Sequence, residues 1–436
     1  MTIGQNFHRQ ILFGTTVGHF IYHVFQYVLP SLIIVIQDDI ILTYSEYGIL
    51  VTLPMIILIV LSPAVGLYGK SRYGYILIPL GLIFYGISML ITSFADSFLT
   101  LLLGQVVLGI AGAQHHPIAL GLISNYRESD RGRALSIHMA LGLAGNAISP
   151  ILLVGAAEIW FGWRFTLRIL VFFAFISTIL LWFLLKDSSR IPPRSNQEED
   201  PSLLTTDIES NSSDQASKIV DQNGSTKPLI TLVFAIFSLP VLLALLISIS
   251  RGGVFRSLAV FTATLLNNFF LFDKLQSGLF TSIILGIGAL GSVLGGSLSD
   301  RGDSGFRVNV LIGTEILSII TLGAVILLSF QNIETPVQIV FLVGTYALWA
   351  FFFYGGGPII QALLGDLVPS SYRSTIFGVS FSIGQIGSSI APAIFGVLWD
   401  NTGAITALMF LLLLLILALF FSVLTGFFLR KRKSRE

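Results

Sequence analysis

The sequence predicts an all-α polytopic membrane protein, twelve transmembrane helices in two pseudo-symmetric six-helix bundles. Composition, recurrent apolar runs and an internal repeat carry that prediction. Of 436 residues, 54% are hydrophobic and 11% charged, and the mean hydropathy is +0.86, whereas soluble domains carry roughly a quarter charged residues. A net charge of +1 supplies no long-range field for nucleic acid. With no cysteine in the chain, disulfides, thiolate chemistry and cysteine-ligated metals are excluded.

A spanning helix needs about 20 mostly apolar residues, and runs of that kind fall near 11–36, 46–67, 75–94, 98–123, 134–157, 165–185, 240–266, 277–298, 308–330, 339–363, 375–398 and 405–429. The first is too long for a signal-peptide core and lacks a small-residue cleavage site, so it reads as a retained span. Residues 186–227 are rich in Ser, Asp, Glu, Asn and Gln, too polar to offset their ordering entropy by burial, and read as a linker. The organisation is therefore a bundle over 1–185, a cytoplasmic linker over 186–227, a second bundle over 228–429 and a basic tail over 430–436. On this layout nineteen of the 24 Lys and Arg fall on the side of the termini. The bias of basic residues toward cytoplasmic loops then puts both termini and the linker in the cytoplasm of a plasma-membrane protein. Shifting by 242 positions superposes Arg131, Gly142, Gly145 and Pro150 on Arg373, Gly384, Gly387 and Pro392 without a gap. Duplicated, facing halves are a transporter architecture.

The loop "GGSLSDRG" with Gly296, Leu298, Asp300 and Arg301 resembles the G-x-L-x-D-R-x-G motif of the major facilitator superfamily, and its first copy, "GLYGKSRYG", is degraded, with Ser71 in the acid's place. "HP" in helix four followed by "RGRALSIHMALGLAGNAISP" resembles more specifically the fosmidomycin-resistance-type subgroup. That resemblance implies a secondary transporter working by alternating access, an antiporter exporting a small polar or anionic compound or drug against protons, with helices one, four, seven and ten around a central cavity. Import or exchange of a small anion is the alternative. No enzyme activity, cofactor or metal is expected.

Ionisable groups inside a bilayer are costly, so each is a functional candidate. His19, His23 and Gln26 share one face of helix one at spacings i, i+4, i+7. His116 shares a face of helix four with Gln105, Gly109 and Gly112, while His115 lies about 100° away. With Arg251 on helix seven and Gln361 on helix ten they form the candidate substrate site, rich in donors and positive charge. A substrate bridging His116 and Arg251 would couple the halves. His23 stands where the subgroup carries an acid; because imidazole titrates near neutral pH, His23 and His116, together with Glu315 on helix nine, are the coupling candidates. Arg256, about 140° from Arg251, is expected to snorkel or to pair with the exit region of helix seven. "HHP" has the wrong spacing for a zinc site, though His19 and His23 with His116 would make a three-histidine set. Pro117 removes an N–H and predicts a kink that frees the Ala113 carbonyl, and "YGGGPII" predicts a matching break in helix ten. Gly145, Pro150, Gly387 and Pro392 resemble a glycine-rich interface motif, and with Gly296, Asp300 and Arg301 are assigned conformational roles. An intramembrane metal-dependent enzyme built on that three-histidine set and a transport-dead receptor or scaffold are the alternatives of a different class; the linker shows no hydrophobic periodicity of the folded module a receptor would hold.

Overall fold

The computed structural model describes residues 3–69, 74–124, 128–186, 238–331, 333–368 and 373–433, and nearly all of them are helical. In chain order the helices are α1 (Ile3–Gln26), α2 (Val28–Ile36), α3 (Tyr44–Gly69), α4 (Leu77–Ser93), α5 (Phe98–Gly112), α6 (His115–Ser124), α7 (Glu128–Ala156), α8 (Gly162–Leu185), α9 (Leu239–Thr264), α10 (Lys274–Ser299), α11 (Ser304–Leu328), α12 (Pro336–Leu367), α13 (Arg373–Thr402) and α14 (Ala404–Lys433). Because α1 with α2, and α5 with α6, each make up one traverse, these fourteen helices give the twelve traverses read from hydropathy. Among the described residues ten are long and apolar enough to cross a membrane; α4 is shorter at 17 residues. Most of the proposed linker, 187–227, lies outside the described residues.

The two breaks have local causes. Pro30 has no N–H to return to the Gln26 carbonyl, four residues back, and the first traverse interrupts at Tyr27. Pro117 does the same to Ala113, and the fourth traverse turns over Ala113 and Gln114. Ser62 Oγ of α3 shares its hydrogen between the Leu58 carbonyl of its own helix at 2.7 Å and the freed Ala113 carbonyl at 3.1 Å, which helps a kink become tolerable where no bulk water is present. The matching break expected in the tenth traverse does not occur. α12 runs unbroken through Pro358, because a single lost N–H bends a 32-residue helix without ending it.

Within the first half α1 packs on α7, α3 on α5, and α4 on both α5 and α8; within the second, α10 and α11 pack on α12, and α9 on α13 and α14. The halves meet where α3 packs on α13, α7 on α10 and α2 on α9. Outward faces carry exposed apolar side chains such as Phe172, Phe175 and Ile176 of α8, as a lipid-facing surface requires.

On the face away from the termini the halves are closed by polar contacts. Lys274 pairs with Asp38, Asn268 Nδ2 donates to Gln37 Oε1 at 3.1 Å, and the Tyr47 hydroxyl donates to the Val260 carbonyl at 2.5 Å. Asp400 accepts from the backbone N–H groups of Tyr44 at 2.9 Å and Ser45 at 2.7 Å. A carboxylate from the second half thus satisfies the N-terminal donors of a helix in the first. Beside this seam Asp39 accepts from Trp163 Nε1 at 3.0 Å and pairs with Arg164, bonds that hold its carboxyl below the usual carboxylate range.

Candidate functional site

On the other side of that seam lies a cavity of about 740 Å³ between the halves. Leu135, Met139 and Leu143 of α7 form its wall in the first half, and Arg251, Phe255, Tyr354, Gln361 and Gln385 contribute from the second. It extends to Asp300, the exposed cap of α10, and so reaches the face that carries the chain termini. Gln361 of α12 lines it. Among the described residues, none of helices one and four lines it, contrary to expectation; Gln26 donates to Tyr85, and the histidines of these helices pack on one another.

Arg251 lines the cavity, but its guanidinium turns back into the second half. It donates to the Phe353 carbonyl, lies over the Phe353 ring at 4.5 Å from the centroid, and places Nη1 3.8 Å from Glu315 of α11. Both partners are buried, so the charge of Arg251 is balanced inside the protein. Arg256 differs. It is 7% exposed, contrary to the expected snorkelling, and among the described residues it has no carboxylate within 4 Å. Tyr22, His23, Tyr27 and Tyr47 from the first half and Tyr354 from the second lie within Coulombic reach of it. The sequence signal for Arg256 was present, a charge well inside a span; its orientation was not.

Five of the six histidines meet in the first half. His19 Nδ1 lies 2.7 Å from the His138 carbonyl, and His23 Nε2 lies 3.0 Å from His19 Nε2. The rings of His115 and His138 stack on His19 with centroids 5.2 and 4.0 Å away, and His116 meets His19 edge-on at 5.1 Å. Tyr22 adds a ring within 5.1 Å of those of His23, His115 and His116. Recruitment of His115 and His138 was not readable from helical spacing, since it depends on the break at Ala113 and on α7 lying against α1. Gln26 faces away from the cavity, its Nε2 donating to Tyr85 Oη at 2.9 Å.

The sequence pattern of the Major Facilitator Superfamily matches residues 15–392. The chain belongs to the Major Facilitator Superfamily. The chain is 24% identical over 386 residues to the uncharacterized MFS-type transporter YfnC of Bacillus subtilis, covering 87% of this chain and 84% of the relative. It is 26% identical over 336 residues to the probable sulfoacetate transporter SauU of Cupriavidus necator, covering 76% and 72%. Among solved structures, a bacterial homologue of the human lysosomal transporter Spinster, in its inward-facing and occupied conformation, superposes with a TM-score of 0.70 at 15% identity, over 95% of this chain and 96% of that one. The inward-facing, unoccupied form gives 0.71 over 96% and 97%. The protein is a multi-pass transporter of the superfamily and not an enzyme, and such carriers bind small-molecule substrates within the membrane.

The superfamily loop motif can now be placed. Gly296 sits against the Pro358 side chain of α12. Asp300 accepts from Arg307 at 3.4 Å, and Arg307 also pairs with Asp366 at the end of α12; Arg301 is exposed. The motif ties together the ends of α10, α11 and α12. Gly145 and Gly387 lie in contacts within each half. A methyl group on Gly145 would sit 2.6 Å from the Phe20 carbonyl oxygen of α1, and one on Gly387 2.0 Å from that of Ile249 in α9. The prolines are what reach across: the Pro150 carbonyl lies against Gly278 of α10 and the Pro392 carbonyl against Gly48 of α3.

Proposed function

We propose that this carrier exports a small polar anion in exchange for protons by alternating access, in a plasma membrane with both termini and the linker on the cytoplasmic side. In that orientation the described state is inward-facing, closed by the Asp38, Lys274 and Asp400 contacts and open on the side of the termini.

The anionic reading rests on Arg256. A buried guanidinium that among the described residues has no carboxylate within 4 Å is an expensive arrangement in a bilayer, and a transported anion would offset that cost while contacting both halves at once. Tyr22 and Tyr27 from the first half and Tyr354 from the second lie within Coulombic reach of the same guanidinium. The Cupriavidus relative, a probable sulfoacetate transporter, supports the same substrate class. Exchange against protons is supported by the buried Arg251–Glu315 pair, since protonation of Glu315 dissolves an internal ion pair and changes the charge beside the cavity. The HP-containing fourth helix and its glycine-rich successor, similar to the fosmidomycin-resistance-type subgroup, support export. His23 and His116 remain proposed coupling residues.

Purified protein in liposomes loaded with labelled sulfoacetate tests this. Acidifying the outside should speed efflux, and Arg256→Gln should abolish it. Acceleration of influx instead would replace export with import, and flux indifferent to both the gradient and Arg256→Gln would overturn the anion reading.

A further inference from the structure

The histidine cluster has a geometry that proton coupling through His23 and His116 does not use. We propose that His19, His23 and His116 form a binding site for one divalent transition-metal ion of the zinc, cobalt or nickel class, which clips α1 to α6.

Two sets of three histidines have ligating nitrogens within 4.8 Å of one another, His19 with His23 and His116, and His19 with His115 and His138. Ring orientation decides between them. An imidazole lone pair lies in the plane of its ring, so three ligands converge on one ion only if their planes intersect near it. The rings of His19, His115 and His138 are within 6° of parallel, and their lone pairs run in stacked planes that do not meet. The planes of His19, His23 and His116 cross at 62°, 80° and 70°, which lets their lone pairs converge on one point. Two imidazole nitrogens on one tetrahedral zinc are about 3.3 Å apart, given metal–nitrogen bonds of about 2.05 Å. The Nε2 atoms of His19 and His23 are 3.0 Å apart, a spacing that opens to the required value with a small ring rotation.

The surroundings fit as well. His19 donates its Nδ1 hydrogen to the His138 carbonyl, which leaves Nε2 as the lone-pair nitrogen; a backbone acceptor behind the ligand is the usual way a metal-binding histidine is oriented. Gly142 of α7 makes the approach possible, because a methyl group there would lie 2.4 Å from His19 and 2.8 Å from His23. His19 is sealed, whereas His23 and His116 are partly exposed, which puts the fourth coordination position on their side. Three neutral imidazoles with one open position suit zinc, cobalt and nickel better than the oxygen-seeking calcium or magnesium. The ion would join two helices that each lie beside a proline-induced break, and so set the shape of the first half.

The test uses the full chain in detergent, purified without a histidine tag and with His8→Gln throughout to remove the histidine outside the cluster. Titration with cobalt(II), read by its visible ligand-field absorption, should give one equivalent per chain with the intensity of a four-coordinate site, and zinc should displace it. His23→Gln and His116→Gln should each weaken binding at least tenfold, whereas His115→Gln and His138→Gln should change it less than threefold. Each variant is first required to elute as a single species by size exclusion, and a metal-induced rise in unfolding temperature, present in the parent and lost in His23→Gln, gives a second readout. No stoichiometric binding by the parent, or binding that survives His23→Gln and His116→Gln but not His138→Gln, overturns the proposal. Sulfoacetate flux by metal-free protein separates this proposal from the anion reading, which rests on Arg256 and not on the cluster.

Discussion

Arg251 and Arg256 lie five positions apart on α9 and have opposite fates, and the difference is what each guanidinium meets. Arg251 meets Glu315 and the Phe353 carbonyl, so its charge is spent on holding α9, α11 and α12 together. Removing one partner of a buried pair leaves an uncompensated charge, at a cost of about 3 kcal/mol. Glu315→Gln should therefore lower the unfolding temperature in detergent and uncouple flux from the proton gradient. The double replacement Arg251→Met with Glu315→Leu should recover most of the stability and none of the coupling, because apolar side chains of similar volume remove both charges together. Equal stability of Glu315→Gln and the parent would remove the pair from the account of the second half. Both residues were legible as charges inside spans. Their partnership was not, because they are 64 positions apart on different helices and helical periodicity says nothing about which neighbour a face meets.

At the scale of the helix, Pro117 shows what a sequence reveals and what it leaves to packing. The missing N–H is written in the residue itself, and so is the orphaned Ala113 carbonyl. The donor that satisfies it, Ser62 Oγ, is 51 positions earlier and could not be named. Ser62→Ala should cost about 1–3 kcal/mol, the usual penalty of a buried acceptor left unsatisfied. In a Pro117→Ala background, where residue 117 again donates to Ala113, the same substitution should be close to neutral. Additive costs in this double-mutant cycle, measured by thermal unfolding, would mean that Ser62 does not serve the kink. Glycine spacing was equally visible, but not which helix each glycine meets. Since Gly387 faces the Ile249 backbone within its own half, with no flexible side chain to yield, Gly387→Leu should reduce the yield of folded, monodisperse protein. A folded variant with slowed transport is the outcome that would restore a role between the halves.

Over the whole molecule, twelve traverses in two halves were legible because hydropathy and a 242-residue repeat are properties of the chain alone. The seam between the halves was not, since it joins residues as far apart as Asp38 to Lys274 and Tyr44 to Asp400, each an ordinary loop charge or helix start when read locally. Its orientation is testable in a chain that lacks cysteine. With cytoplasmic termini, an impermeant thiol reagent added to whole cells should label Asp96→Cys and spare Ser213→Cys, and the reverse pattern would invert the topology.

The seam also makes a mechanical claim. Gln37 and Asn268 touch across it, and alternating access requires this contact to part in every cycle while the opposite side closes. Gln37→Cys with Asn268→Cys, oxidised to a disulfide in liposomes, should therefore halt transport completely and release it again on reduction, whereas each single variant should transport normally under the same oxidant. The locked protein should still bind substrate presented from the side of the termini, because the 740 Å³ cavity remains open there. Full transport by the cross-linked protein would mean that the halves do not separate at this face, and the closed seam would then be a permanent joint instead of a gate.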